Sequence, residues 1–172
     1  MPTALVTGVA GLLGSHLADR LIQEGYEVRG IDSLVGGYKE NVPTKVKFLQ
    51  ADLMNLNAIE DSFVSVDLVV HTACTAYEGL SVYSPHLVTQ NTFQITASTL
   101  SASVKSGVKK FVFMSSMARY GTQDTTPFVE EMTPKPQDPY GVAKYAAELL
   151  TQNIANEHNI AFNILVPHNI IG

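Results

Sequence analysis

The chain has 172 residues, 45% hydrophobic and 16% charged, which suits one globular domain with a buried core and excludes a disordered segment. A formal charge of −5, a pI near 5.4 and no basic run exclude a nucleic-acid surface, and the single cysteine, Cys74, excludes an internal disulfide and a zinc site. With no run of ~18 apolar residues to cross a membrane and no basic leader before "MPTALVTG", a reduced cytoplasmic enzyme or binding domain is expected.

In chain order, a β-type run over 3–8 leads into "VTGVAGLLGSHLADRLIQEGYEV", where Gly8, Gly11 and Gly14 separate a strand from a helix over 12–24. Gly8 permits a tight turn, Gly11 close approach of backbone to a pyrophosphate, and Gly14 packing of helix on strand. The helix N-terminus adds free N–H groups and partial positive charge. A strand–turn–helix that binds nothing would use the same glycines. A second strand over 27–32 ends on Asp32, 18 residues past Gly14. A carboxylate there accepts hydrogen bonds from the adenosine ribose and repels a 2′-phosphate, and neither Ser33 nor Leu34 brings a cation. NAD is favoured over NADP, with a turn aspartate as the alternative reading of Asp32. A third strand over 46–52 contains Asp52, an adenine contact or a cap for the following turn.

Further elements are a helix over 55–63, a strand over 67–73, a helix over 85–106, a strand over 109–116, a helix over 140–158 and a strand over 162–167. The segment 117–139, with Pro127, Pro134, Pro136 and Pro139, reads as a loop over the strand ends. Near-continuous apolar runs such as "FVFM" indicate strands buried on both faces. The alternation predicts an α/β fold: a Rossmann-like doubly wound parallel sheet with right-handed crossovers and helices on both faces.

In "DPYGVAKYAAELL", Asp138 is an N-cap candidate and Pro139 a first helical residue, so Tyr140 and Lys144 fall one turn apart on one face. A phenol ionises near pH ~10. A cation ~6 Å away at an effective dielectric of ~20 favours its anion by about 2.8 kcal/mol. With a positive nicotinamide ring added, the lowering reaches about four pKa units before any desolvation. Tyr140 is therefore expected to serve as a base only with cofactor bound. Ser116, at the end of its strand, could hold the substrate oxygen with its hydroxyl, with a strand-end serine satisfying local backbone as the alternative reading.

"TGVAGLLG" (7–14), Asp32, "ADL" (51–53), "HTA" (71–73), "GLSVYSP" (79–85), Asn91, "SSMARYG" (115–121), "PQDPYGVAK" (136–144) and Asn169 in "PHNIIG" run in order along the whole chain. In these features the chain resembles the extended short-chain dehydrogenase/reductase family, particularly its NAD-dependent nucleotide-sugar epimerases and dehydratases. The resemblance implies bound NAD and a Ser116–Tyr140–Lys144 catalytic set. It places Gly8, Gly11, Leu12, Leu13, Gly14, Asp32, Asp52, Leu53, Thr72, Ala73, Ser115, Tyr140, Lys144 and Pro167 at the cofactor. Asn91 joins that set, in a position the family uses architecturally. Ser116, Tyr140 and Asn169 would meet a nucleotide sugar, although the arginine common three residues before that asparagine is Val166 here. His71 reads as a strand-end residue beside the cofactor. Contact with substrate is possible for Cys74, Thr75, Tyr77 and Glu78, of which Cys74 is as readily a packing residue.

Dehydratases of this family carry Thr-Asp-Glu where this chain has Ser116-Met117-Ala118, and elimination needs acids that this loop lacks. Reversible oxidation at C4 needs none, so a UDP-sugar 4-epimerase is the favoured reading. A dehydratase or NAD-linked alcohol oxidoreductase, and a non-catalytic NAD-binding module, are the alternatives. The family is about twice as long, so residues 1–172 read as its Rossmann domain without the C-terminal substrate domain. A homodimer through the helices over 85–106 and 140–158 is expected of the full-length enzyme.

Overall fold

The computed structural model describes residues 1–171; Gly172, which closes "PHNIIG" and the expected domain, lies outside the described residues. Six strands, β1 (Thr3–Thr7), β2 (Glu27–Asp32), β3 (Lys47–Gln50), β4 (Leu68–His71), β5 (Lys110–Met114) and β6 (Ala161–Leu165), form one parallel sheet in the order β3-β2-β1-β4-β5-β6. The order reverses between β1 and β4, and in such sheets the crevice at that point, beyond the strands' C-terminal ends, receives ligands.

Alternation along the strands divides the core. Leu5, Ile31, Val69, Phe111 and Phe113 face one side, where α5 (Ile95–Lys105) and α6 (Pro139–Glu157) supply Leu100, Ala102, Ala147 and Ala155. Val6, Val28, Val70 and Met114 face the other, where α1 (Leu12–Gln23) brings Ala18 and the stripe Leu13, Leu17 and Leu21. Phe63, Phe111, Phe113, Leu5 and Ile31 are fully withdrawn from water, each worth about 1.5–3 kcal/mol. α1 stops at Gly25 (φ 86°), where Gly25 N–H reaches Ile22 O and Tyr26 N–H reaches Leu21 O, a closure that needs left-handed backbone.

Two helices depart from their expected form. The helix expected over 55–63 is a single turn, α2 (Leu56–Ile59), followed by a 3-10 turn at Glu60–Phe63. The helix expected over 85–106 starts earlier and is broken into α3 (Glu78–Tyr83), α4 (Pro85–Thr89), a π turn (Gln90–Gln94) and α5. Pro85 is the reason for the break: it excludes helical backbone at Ser84, which sits at φ −136°, ψ 62°, and then starts α4 at N1. Within 117–139 a 3-10 turn forms at Met117–Tyr120. No helix among the described residues is long and apolar enough to cross a membrane.

Candidate active site

The glycine loop has the roles its spacing predicts, in graded form. Gly8 has φ 70°, and a Cβ there would lie 2.8 Å from Ala73 N. At Gly14 a Cβ would fall 2.1 Å from Gly8 O, so this position joins α1 to the loop with no room for a side chain. At Gly11 the nearest such contact is Gly8 O at 3.4 Å, which leaves that side of the loop open. Gly11 is also the N-cap of α1 and offers no side-chain acceptor. The N–H groups of Leu12 and Leu13, in the first turn, therefore have no intrahelical or capping partner.

Asp32 is buried at the end of β2 and holds this loop. Its Oδ2 accepts from Ala10 N at 2.9 Å and its Oδ1 from Leu34 N at 2.8 Å. The carboxylate thus closes a turn and braces the glycine loop together, while each oxygen keeps a further lone pair. Asp52 caps: its Oδ1 accepts from Met54 N at 2.9 Å, the turn reading of the two expected. Leu53 points into the core at 5% exposure, so a cofactor contact from it would be through backbone.

At the ends of β1 and β4, Thr7 and His71 are register partners. Thr96 Oγ1 donates to Thr92 O at 2.6 Å, so it accepts from His71 Nε2–H at 3.0 Å. Nδ1 is then left to accept from the Thr7 hydroxyl at 2.7 Å. Burial first, and the Lys144 charge second, lower this imidazole to about 3, so it is a neutral hydrogen-bond link and no acid. Thr72 Oγ1 donates to Thr7 O at 2.6 Å, and Ala73 N–H reaches Thr7 Oγ1 at 3.4 Å. Asn91, in the π turn, donates to Thr75 Oγ1 at 3.1 Å and ties down the loop after β4, an architectural contact.

Asp138 caps α6 as its spacing predicts, accepting from Gly141 N at 2.9 Å, with Pro139 in the first turn. Gly141 packs so closely on the Ser116 loop that a Cβ would lie 2.7 Å from Ala118 O. The two contacts set the first turn of α6, which carries Tyr140, against the Ser116 loop, where Ser116 Oγ accepts from Ala118 N at 3.2 Å, the local-backbone role. Lys144 is buried on the same face; its Nζ donates to Met114 O at 2.7 Å and lies 5.9 Å from the Tyr140 ring centre. An ammonium has three donors, so two remain for other acceptors.

Burial pushes Tyr140 well above the ordinary phenol value, the Cys74 thiol and the Glu78 carboxylate push in the same direction, and hydrogen bonding with Ser116 pulls back. Desolvation dominates in the chain by itself, and the expectation that the phenol becomes a base only with cofactor bound depends on charge that NAD would bring. Cys74 is thereby a neighbour of the phenol as well as a packing residue.

Ser115 departs from the position expected of it. Its hydroxyl donates to Glu148 Oε1 under α6, because alternation turns it to the helix-covered face. Pro167 lies beside the Ser116 loop, its carbonyl accepting from Met117 N at 3.1 Å. Asn169 is exposed, its backbone N–H bonded to His168 Nδ1 at 2.7 Å. Spacing left unnoticed the fully buried Glu148, paired with Arg119 Nη1 at 2.7 Å. Burial raises the Glu148 carboxyl; Ser115, Arg119 and Lys144 act the other way. The available signal was an acid four residues past Lys144, on the buried stripe of α6.

Two hollows lie elsewhere and neither is lined by Ser116, Tyr140 or the glycine loop: a groove of about 600 Å3 against α4 and α6, and a cleft of about 390 Å3 between Arg119 and β6. No group of three metal-ligating side chains occurs among the described residues.

The family model described as "NAD dependent epimerase/dehydratase family" matches residues 4–172. UDP-arabinose 4-epimerase 1 of Arabidopsis thaliana is 36% identical over 183 residues, covering 98% of this chain and 43% of that protein. The crystal structure of UDP-glucose 4-epimerase from Brucella ovis in complex with NAD superposes with a TM-score of 0.94 at 29% identity, covering 98% of this chain and 52% of that one. The Thermotoga maritima UDP-glucose 4-epimerase structure with UDP-glucose gives 0.91 at 33% identity, covering 95% of this chain and 54% of that one. The chain spans about half the length of these relatives.

Proposed function

The chain belongs to the NAD dependent epimerase/dehydratase family, and from that premise we propose that it is the cofactor-binding part of a cytoplasmic UDP-sugar 4-epimerase. One observation carries the reading: Lys144 Nζ lies 5.9 Å from the centre of the Tyr140 ring on the buried face of α6, whose first turn packs on the Ser116 loop.

The residues fit NAD. Leu12 and Leu13 N–H groups, uncapped at the start of α1, suit the pyrophosphate, and the open side of Gly11 gives it room. The spare lone pairs of Asp32 suit the adenosine ribose hydroxyls, and the free donors of Lys144 suit the nicotinamide ribose. NAD, when bound, supplies the acceptor and later the donor of the C4 hydride. Tyr140 Oη takes the proton of the sugar 4-hydroxyl and returns it after the sugar has presented its other face. Ser116 Oγ would hold that oxygen, and Asn169 would meet the sugar diphosphate. Ser116-Met117-Ala118 brings no carboxylic acid for water elimination, which favours epimerisation over dehydration.

A homodimer is part of the proposal: the groove lined by Thr89, Phe93, Val142, Ala143 and Ala146 involves α4 and α6, which also carry the exposed Leu87 and Leu149, apolar surface suited to a second copy. The test is conversion of UDP-glucose and UDP-arabinose to their C4 epimers by the full-length protein containing this chain. Conversion that Tyr140→Phe abolishes supports the reading; no inversion of either sugar rejects it.

A further inference from the structure

Ala10, in the middle of the glycine loop, is fully buried, and both polar ends of its residue are held, one by the last residue of β2 and the other by the segment that follows it. Its N–H donates to Asp32 Oδ2 at 2.9 Å. Its carbonyl oxygen accepts from Tyr38 N at 3.1 Å and from Asn41 Nδ2 at 3.1 Å. Gly37 fits against it so closely that a Cβ would lie 2.8 Å from the Ala10 carbonyl carbon. A carbonyl has two lone pairs, and these two donors occupy both. Asn41 is the side-chain donor of the pair, at the end of a 3-10 turn (Lys39–Asn41) with no other structural duty in the core.

The consequence concerns shape. A loop with glycines at 8 and 11 has much conformational freedom to lose when it closes on a ligand. Fixing Ala10 from both sides removes part of that freedom in advance, and preorganisation of this kind appears as affinity. We infer that Asn41 is a positioning residue for the dinucleotide: it locks the glycine loop in the form that presents the Leu12 and Leu13 N–H groups, and it touches no ligand itself. The inference rests on the reading of that loop as the pyrophosphate site.

Asn41→Asp makes the inference testable, because it keeps the shape and reverses the interaction. An ionised carboxylate cannot donate to the Ala10 carbonyl and repels it; a protonated one restores an O–H donor. NAD affinity would be measured by calorimetry on NAD-free protein for wild type, Asn41→Ala, Asn41→Asp and Gly11→Ala. The expected result is about five- to tenfold weaker binding for Asn41→Ala, the range of one lost hydrogen bond. Asn41→Asp should bind more weakly still near neutrality. Relative to wild type at each pH, it should recover as pH falls from about 7.5 to about 5, across the titration of a carboxyl raised by its carbonyl neighbour. Loss through general damage to the fold would not be restored by protons. Wild-type affinity in Asn41→Ala, or a pH-independent ratio for Asn41→Asp, overturns the positioning role. Absence of NAD binding by wild type, or undiminished binding by Gly11→Ala, overturns the pyrophosphate reading and the inference with it.

Discussion

Lys144 Nζ stands 5.9 Å from the centre of the Tyr140 ring, anchored there by the Met114 carbonyl at 2.7 Å. The anchor fixes a cation near the phenol without neutralising it, yet burial keeps Tyr140 above its ordinary value. A second positive charge is needed to bring it down. In a titration of phenolate absorbance, the difference between wild type and Tyr140→Phe isolates this tyrosine. Without NAD, the difference should emerge only above about pH 10. With NAD bound it should move down by several units. An unmoved midpoint on NAD addition would remove Tyr140 as the base.

The glycine loop separates a folding requirement from a binding one. Gly14→Ala sets a Cβ 2.1 Å from the Gly8 carbonyl oxygen, a backbone atom that no rotamer change relieves. The variant should lose about 2–3 kcal/mol of stability, read as a lower urea midpoint. Gly11→Ala meets only Gly8 O at 3.4 Å, and its backbone at φ −81°, ψ 168° suits any residue. It should keep wild-type stability and lose at least tenfold in NAD affinity. Equal stability losses in the two variants would contradict this division.

Cys74 and Glu78 both oppose ionisation of Tyr140. Cys74→Ala should therefore shift the phenolate midpoint of the NAD complex downward and move the acid limb of activity, where the base takes up its proton, with it, and Glu78→Gln should do the same to a smaller degree. Normal turnover in Glu78→Gln is also expected, because nothing places that carboxylate in the proton transfer. An upward shift in Cys74→Ala would show that the thiol stabilises the anion.

The sheet, the glycine loop and the cap of α6 were readable because each is local: a two-residue period, a three-glycine spacing, Asp-Pro before a helix. The periodicity over 85–106 did not show α3, the break that Pro85 imposes at Ser84, or the π turn at Gln90–Gln94, since apolar positions continue through α4 and α5 across that turn. The site itself was half readable. Tyr140, Lys144 and Asp138 share one helix, whereas Cys74 meets Tyr140 across 66 positions and Asn41 meets Ala10 across 31. Ser115 and Ser116 are adjacent and chemically identical; only the strand's alternation, which sends Ser115 to Glu148, tells them apart.

His71 gives the fold an acid limit. Its imidazole is held down to about 3, against an ordinary 6.5, by burial and by Lys144. The unfolded chain therefore binds a proton that the folded chain refuses between about pH 6.5 and pH 3, and stability falls as pH falls through that window. One proton corresponds to about 1.4 kcal/mol per pH unit. Glu148, raised by burial, works in the opposite sense, so the contribution of His71 is read as the wild-type slope minus that of His71→Gln. The variant should start less stable near neutrality, through its lost bonds to Thr7 and Thr96, and should lose less on acidification. Parallel urea-midpoint curves for the two proteins would show that His71 is not the responsible group.

Beneath the Ser116 loop, Arg119 supplies the charge that lets Glu148 stay buried. The guanidinium lies 2.7 Å from Glu148 Oε2 and is flanked by the Tyr120 and Tyr145 rings at 5.0 and 5.5 Å. Neither Glu148 Oε2 nor Arg119 Nε has a hydrogen-bond partner among the described residues, so the attraction is of charge for charge. Arg119→Met should leave the carboxylate uncompensated and cost about 3 kcal/mol, the low end for a broken buried pair because Arg119 is partly exposed. Glu148→Gln removes the buried charge and keeps an acceptor for Ser115, so it should cost less. The double variant should be more stable than Arg119→Met alone, since the second change removes the charge that the first stranded. Additive losses in that cycle would mean that the two side chains stabilise the loop independently and that the pairing carries no energy.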